Sequence, residues 1–432
     1  PVPTPRRPLA PEDLGAETFR TRYGLRLAYL AGGMYGGISS EALVVRLAKA
    51  GAMGFLGTGG LSLADVEEQV RGVQAALGPD GPFGASVLHR HAAPDDERAL
   101  VDLLLRLGVR TVEASGFLRI TPALVKYRLK GGRIIAKVSR TDTAEAFLRP
   151  APGDVVRSLV EQGEVSEEEA AKAAGLPMAD DLCVEAGGGW VTEAVDLATL
   201  LPTAVRLRDA LATGQDRVHV GAAGGIGTPE AATAALVLGA EFLVTGSVNQ
   251  CTVEAATSPE VKDMLQALDV QDTEPAPWAE MFELGVRARA VKRGVFLPAR
   301  ADRLYQLWRT HASFEGIDAD TRRQIEDMYL RRPFEEAWRA AHTGGQEPDG
   351  KRKLALAFRS YLDEGFELAR TGAPGRRVDY LVHSGPALGA FNQWVKGTGL
   401  EPWQDRHVDT VADRLMAATA QLIEERCGAF KN

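Results

Sequence analysis

The chain has 432 residues, 45% of them hydrophobic and 25% charged, which are ordinary globular proportions. Its net charge of −8 argues against broad nucleic-acid binding. Cys183, Cys251 and Cys427 show no CxxC spacing, so no disulfide framework or metal site is indicated and a cytoplasmic setting is expected; no apolar run approaches the ~18 residues of a membrane helix.

Residues 1–21 read as a leader. The stretch 1–11 carries prolines and arginines without an apolar core, so it does not read as a signal peptide. β-prone runs then fall at 27–31, 53–56, 83–88, 110–114, 134–138, 182–186, 218–222 and 242–245. Helical stretches alternate with them at 41–50, 63–77, 95–107, 122–129, 167–174, 197–211, 229–238 and 259–268. Eight strands with right-handed crossovers close into an α/β fold of the (β/α)8 TIM barrel type. An open doubly wound sheet shares the alternation and is the structural alternative. The expected division is a barrel over 22–270, with an oversized connection at 139–181, and a mainly helical region over 271–432. That connection should cover the mouth of the barrel. Near the C-terminus, Val408, Val411, Leu415 and Leu422 make an amphipathic stripe.

Two glycine-rich turns end the seventh and eighth strands: Gly221-Ala222-Ala223-Gly224-Gly225-Ile226-Gly227 and Thr245-Gly246-Ser247. Pro229 opens the helix between them. Backbone N–H groups at such turns suit a phosphate, and the loops after strands 7 and 8 are the usual barrel phosphate site. The other reading is that the glycines only make tight turns.

Several stretches carry a closer likeness. They are Ala31-Gly32-Gly33-Met34-Tyr35 with Gly57-Thr58-Gly59-Gly60, Gly108 to Ser115, and Ala136-Lys137-Val138-Ser139-Arg140. Gly246 to Ala255 and Gly385 to Asn392 add to them. Through these the chain resembles the PfaD-like trans-acting enoyl reductases of polyunsaturated fatty acid and trans-acyltransferase polyketide synthases, within the nitronate monooxygenase-like FMN barrel group. The resemblance spans roughly 25–425. It implies FMN, NADPH or NADH as hydride donor, and a substrate tethered to an acyl carrier protein; it implies neither nucleic acid nor membrane as partner and leaves a homodimer open.

It also implies site residues. Ala223, Gly224, Gly225, Thr245, Gly246 and Ser247 would hold the phosphate, while Ala31, Gly32, Gly33, Met34 and Ser86 would lie against the ring. Lys137 ends strand five. It would place a cation beside the isoalloxazine, or else pair with Glu113 or Glu185. Glu185 and His89 are mouth candidates for proton transfer, though a histidine in such a loop is also commonly a surface residue. The basic runs 351–353 and 376–377 would dock an acidic carrier or simply be solvated. The wider group carries Gly-Gly-His after strand six; here the stretch is Gly187-Gly188-Gly189-Trp190-Val191, without a histidine. The group also favours asparagine where Ser86 stands. The expected function is enoyl reduction. Dehydrogenation or oxidation of a carrier-bound acyl chain, with Trp190 reshaping the pocket, and a non-catalytic synthase component are the alternatives.

Overall fold

In a computed structural model of the protein, the described residues are 7–91, 93–189, 195–211, 217–342 and 344–429. Contacts divide the chain into two compact units. One comprises Pro1–Gly188, Thr192–Ala256 and Ala390–Asn432; the other comprises Gly189–Val191 and Thr257–Gly389.

The first unit is built on eight strands: β1 (Tyr29–Ala31), β2 (Met53–Leu56), β3 (Phe83–Leu88), β4 (Thr111–Ser115), β5 (Arg133–Val138), β6 (Asp181–Glu185), β7 (His219–Ala223) and β8 (Leu243–Thr245). All neighbours pair in parallel, and β1 pairs with β8 to close the barrel. Each strand lies within two residues of its sequence expectation, so the barrel, not the open sheet, is the fold. Parallel strands need long crossovers, and the intervening amphipathic helices supply them. Leu30, Met53, Phe55, Ile135, Cys183 and Phe242 belong to a core cluster of this unit.

Within the stretch read as a leader, Glu17–Tyr23 is helical, and Phe19 stacks on Phe242 with ring centroids 4.1 Å apart. The 139–181 connection folds as three helices, Thr141–Leu148, Gly153–Glu161 and Glu167–Ala173. The helix Pro229–Val237 starts as expected, with Pro229 in its first turn and the Thr228 hydroxyl accepting from Ala231 N–H. The last helix, Val408–Ala429, packs on it and on Glu41–Lys49. Val408, Val411, Leu415 and Met416 are fully buried there.

The second unit contains an antiparallel hairpin, β9 (Thr273–Pro277) and β10 (Arg287–Val291), in a region expected to be mainly helical. The helices Leu297–Thr310, Phe334–Ala341 and Gly350–Thr371 bury Phe282, Leu304, Trp338, Phe358 and Leu362 in one cluster. Among the described residues no helix is long and apolar enough to cross a membrane.

Leu415→Ala should therefore destabilise the barrel unit by about 2–5 kcal/mol, the cost of a cavity in a packed core. Urea denaturation checks this; a loss below about 0.5 kcal/mol would mean the last helix is not part of the folding unit.

Candidate active site

Barrel closure brings the first and last strand ends together. Gly32 N–H donates to the Thr245 carbonyl at 2.9 Å. After β7 the chain turns through Gly224 and Gly225 at φ of 84° and 70°, left-handed values that glycine adopts without strain. A Cβ on Gly224 would lie 2.0 Å from the Ala186 carbonyl oxygen, so that turn also needs glycine for closeness to the β6 loop. At Gly225 and Gly246 a Cβ would meet no atom of the described residues within 4 Å. Both turns thus border open space. Beyond Gly246 the single helical turn Ser247–Gln250 follows β8. The six residues assigned to a phosphate, Ala223 to Gly225 and Thr245 to Ser247, lie at adjoining strand ends.

Three residues that the sequence reading missed fix this corner. Asn249, fully buried, donates to the Thr245 carbonyl and hydroxyl at 3.1 and 2.9 Å, and the Tyr29 hydroxyl lies 2.5 Å from Thr245 Oγ1. Ser39 clamps the β1 turn: Oγ accepts from Met34 N–H at 3.0 Å and donates to the Gly32 carbonyl at 2.9 Å. Asn249 stands in the Gly246 to Ala255 stretch that carries the family likeness, but no spacing rule marks its role.

On the next strands, Ser86 Oγ accepts from Thr58 N–H at 3.1 Å, and Thr58 Oγ1 donates to the Ser86 carbonyl at 2.5 Å. Ser86 therefore ties the β2 loop to β3, and it lies next to Gly33, whose Cβ would fall 2.6 Å from Ser86 Cβ. Ala31 is buried in β1, and Met34 is half-buried after it.

Beneath the β1 turn is a buried charge cluster. Lys137 Nζ stands 3.2 Å from Glu185 Oε2 and 3.5 Å from Glu113 Oε1, on three adjacent strands. Glu113 Oε2 also accepts from Gly33 N–H at 2.8 Å. Both readings of Lys137 therefore meet at one place: it is paired with two carboxylates, and a Cβ on Gly32 would come within 3.5 Å of its Nζ. Burial works against the ammonium, but Glu113 and then Glu185 outweigh it and raise the Lys137 pKa above the usual lysine value. One cation faces two carboxylates, so the cluster has a surplus negative charge. Burial accordingly raises the Glu113 carboxyl above the usual range, against the pull of Lys137 and the Gly33 N–H.

His89 follows β3 and is buried. Its Nδ1 lies 3.1 Å from Glu97 Oε2, and Glu97 Oε1 accepts from Thr121 at 2.5 Å. Phe117 packs on the imidazole at 5.1 Å. His89 is therefore a fixed side chain and not a surface-loop histidine. Trp190 and Val191 lie outside the described residues. The basic runs have partners within their own unit: Lys351 bonds the Trp308 and His311 carbonyls, Arg352 pairs with Glu283, Lys353 with Glu347 and Arg376 with Asp379.

The candidate site thus lies on a (β/α)8 barrel with paired glycine turns after β7 and β8 and a buried cation beneath the β1 turn. The nitronate monooxygenase family profile matches residues 27–276, and the profile of the inserted helical domain of acyl-carrier-protein S-malonyltransferase matches 311–380. The chain is 46% identical over 96% of its length to polyketide biosynthesis protein PksE of Bacillus subtilis and 43% identical over 96% to ThaF of Burkholderia thailandensis; it spans 57% and 38% of those proteins. It is 38% identical over 90% of its length to a polyunsaturated fatty acid synthase component of a Thraustochytrium species, spanning 28% of that protein. The solved enoyl reductase domain of MlnA, from the macrolactin cluster of Bacillus amyloliquefaciens, has a TM-score of 0.93 at 38% identity, covering 97% of this chain and 99% of that one. FabK of Thermotoga maritima, at 17% identity and a TM-score of 0.59, shares the fold, covering 95% of this chain and 98% of that one. The chain belongs to the nitronate monooxygenase family, in its PfaD-like enoyl reductase branch, and is thereby related to oxidoreductases.

Lys137→Met leaves two buried carboxylates without their cation and should cost about 3–5 kcal/mol near neutral pH. In the variant only the Gly33 N–H still offsets burial, so the folded-state Glu113 pKa rises further above the unfolded value. A raised folded pKa gives stability that is present below the unfolded pKa, about 4.3 for Glu, and lost as pH rises through the folded one. The variant's deficit should thus grow between about pH 5 and pH 8. Urea denaturation across that range tests it; a pH-independent deficit would mean the cluster does not hold Lys137 as an ion.

Proposed function

We propose that the chain is an FMN-dependent enoyl reductase that acts in trans on acyl-carrier-protein-bound thioesters with NADPH or NADH as donor. The observation that carries this reading is the adjacency of two glycine turns bordering open space to a β1 turn underlain by Lys137. The residues present fit the cofactor. Gly224, Gly225, Gly246 and Ser247 would offer backbone N–H groups to its phosphate, and Ala31 to Met34 a near side-chain-free wall to its ring.

Bound FMN would supply reversible two-electron chemistry between the nicotinamide and the enoyl double bond. The chain's own residues hold charge and protons. Lys137, with its pKa raised, stays an ammonium at physiological pH; it supplies a fixed positive charge and is a poor proton donor. Glu113 and Glu185 position it. His89 commits Nδ1 to Glu97, which leaves Nε2 as the nitrogen through which the imidazole would exchange a proton with substrate. Loss of one positioned acid forfeits roughly 10²–10⁴ in rate. His89→Gln should therefore lower turnover by that order, with flavin content unchanged.

The reaction direction is tested by anaerobic mixing. Bleaching by NADPH followed by reoxidation with an enoyl-carrier thioester is the expected result. Bleaching by the saturated thioester alone would replace the reading with acyl dehydrogenation. A chain that binds no flavin would overturn it.

Gly225→Asp should strip the cofactor. A side chain there meets open space, so the fold is spared apart from modest strain at φ 70°, while a carboxylate is set against the phosphate. Flavin absorbance after desalting in added FMN reads the outcome; full retention would displace the phosphate from this turn.

A further inference from the structure

The helical unit contains a surface cavity of about 640 Å³ whose wall includes Arg300, Met328, Arg331, Arg332 and Pro333. Nothing in the barrel chemistry uses it. It lies at the end of a π-helical turn, Ile325–Leu330, a form of helix often found at functional sites. The turn stops at Arg331, which has φ 52° and is the one non-glycine with positive φ among the described residues. Glycine would take that conformation freely; here an arginine holds it, lining the cavity while its guanidinium pairs with Asp379 and its side chain stays 42% exposed.

Behind the wall the arginines are pre-set. Asp379 is fully buried and receives Arg300 at 2.5 Å, Arg331 at 3.0 Å and Arg376 at 3.0 Å, with the Tyr361 hydroxyl at 3.1 Å. Arg332 reaches Glu364 at 3.7 Å and Ser360 at 3.4 Å, but its Nε is buried and has no hydrogen-bond partner among the described residues. The wall's own carboxylates are Glu326 and Asp327. Glu326 accepts from the Phe334 N–H at 2.8 Å, and Asp327 is exposed. Formal charge around the cavity is thus balanced. Hydrogen-bond donors are not: each guanidinium carries five N–H groups, and a few acceptors are shared among several of them. Phe296 and Met328, 58% and 49% exposed, add apolar surface beside Arg300.

We propose that this cavity binds a phosphate ester, with Arg331 and Arg332 as its ligands and Met328 against the organic part. Planar guanidinium forks match phosphate oxygens in pairs, and the volume suits a small organic phosphate better than a lone ion. Two sources share that chemistry: a phosphopantetheine arm and a free nucleotide. The matched profile over 311–380, named for a helical domain of an acyl-carrier-protein transferase, covers Arg331, Arg332 and Asp379 and favours the arm. The proposal does not depend on the flavin reading.

Isothermal titration calorimetry of the full chain with 4′-phosphopantetheine, with pantetheine and with ADP tests it. Binding of 4′-phosphopantetheine tighter than about 1 mM is expected, with pantetheine at least about tenfold weaker. ADP binding in its place would support the site and assign it to a nucleotide. Arg332→Gln and Met328→Glu should each weaken the bound ester about tenfold or more, with flavin content unchanged; Met328 is exposed, so its variant does not threaten folding. Arg331→Gly, which suits φ 52°, should do the same while the chain stays folded by circular dichroism. Failure of both esters to bind, equal binding of pantetheine, or affinity unchanged in Arg332→Gln and Met328→Glu would overturn the proposal.

Discussion

The pairing of β8 with β1 is the constraint on which the site depends. Residues 31–34 and 245–247 are more than 200 positions apart, and they meet because an eight-strand parallel sheet closes where a smaller one would stay open. Closure also sets β4, β5 and β6 side by side, so that Glu113, Lys137 and Glu185 converge under the β1 turn. The turn itself is held from three sides: by Thr245 through Gly32 N–H, by Ser39 at the Gly32 carbonyl and by Glu113 at Gly33 N–H. A flat ring needs such a wall to be fixed before it arrives, since ordering the backbone on binding would consume about 1–2 kcal/mol per residue.

The same cluster couples stability to chemistry. Burying one ammonium with two carboxylates is not an efficient way to stabilise a core; apolar residues of similar volume often do as well or better. Its physical consequence is a permanent positive charge at a chosen height in the barrel, with a carboxyl beside it that takes up a proton more readily than in water. Under the proposed reading, proton transfer falls to another group, and the buried, Glu97-anchored His89 is the candidate.

Much of the barrel was legible from the sequence because its signals are local. Apolar runs, Pro229 at a helix start and glycines at strand ends each act over a few residues. The candidate partners of Lys137, Glu113 or Glu185, were legible, but that it meets both depends on strand register, and a one-residue slip would turn it to the other face. The β9–β10 hairpin escaped for a related reason. Its first strand, Thr273-Glu274-Pro275-Ala276-Pro277, has two prolines and little β-propensity; pairing with Arg287–Val291 makes it a strand. Phe19 in the expected leader shows the same effect, since its stacking on Phe242, with the Thr18–His219 and Ala16–Glu241 contacts, gives that segment a place. The changed loop after β6 remains a sequence observation, because Trp190 lies outside the described residues.

The two units illustrate two ways of presenting positive charge. In the barrel, Lys137 is enclosed by carboxylates and a backbone turn, and its charge acts at short range through low-dielectric surroundings. In the helical unit, Asp379 is the enclosed group, and Arg300, Arg331 and Arg376 converge on it, with Arg331 the most exposed of the three. A buried anion that organises several arginines costs desolvation, and that cost is recovered only if its hydrogen bonds are nearly complete, as those of Asp379 are with three guanidiniums and a tyrosine hydroxyl. Arg331 is then held in position with part of its side chain still exposed. That arrangement favours recognition of a planar or tetrahedral oxyanion by geometry more than by long-range attraction, since the formal charges around it cancel.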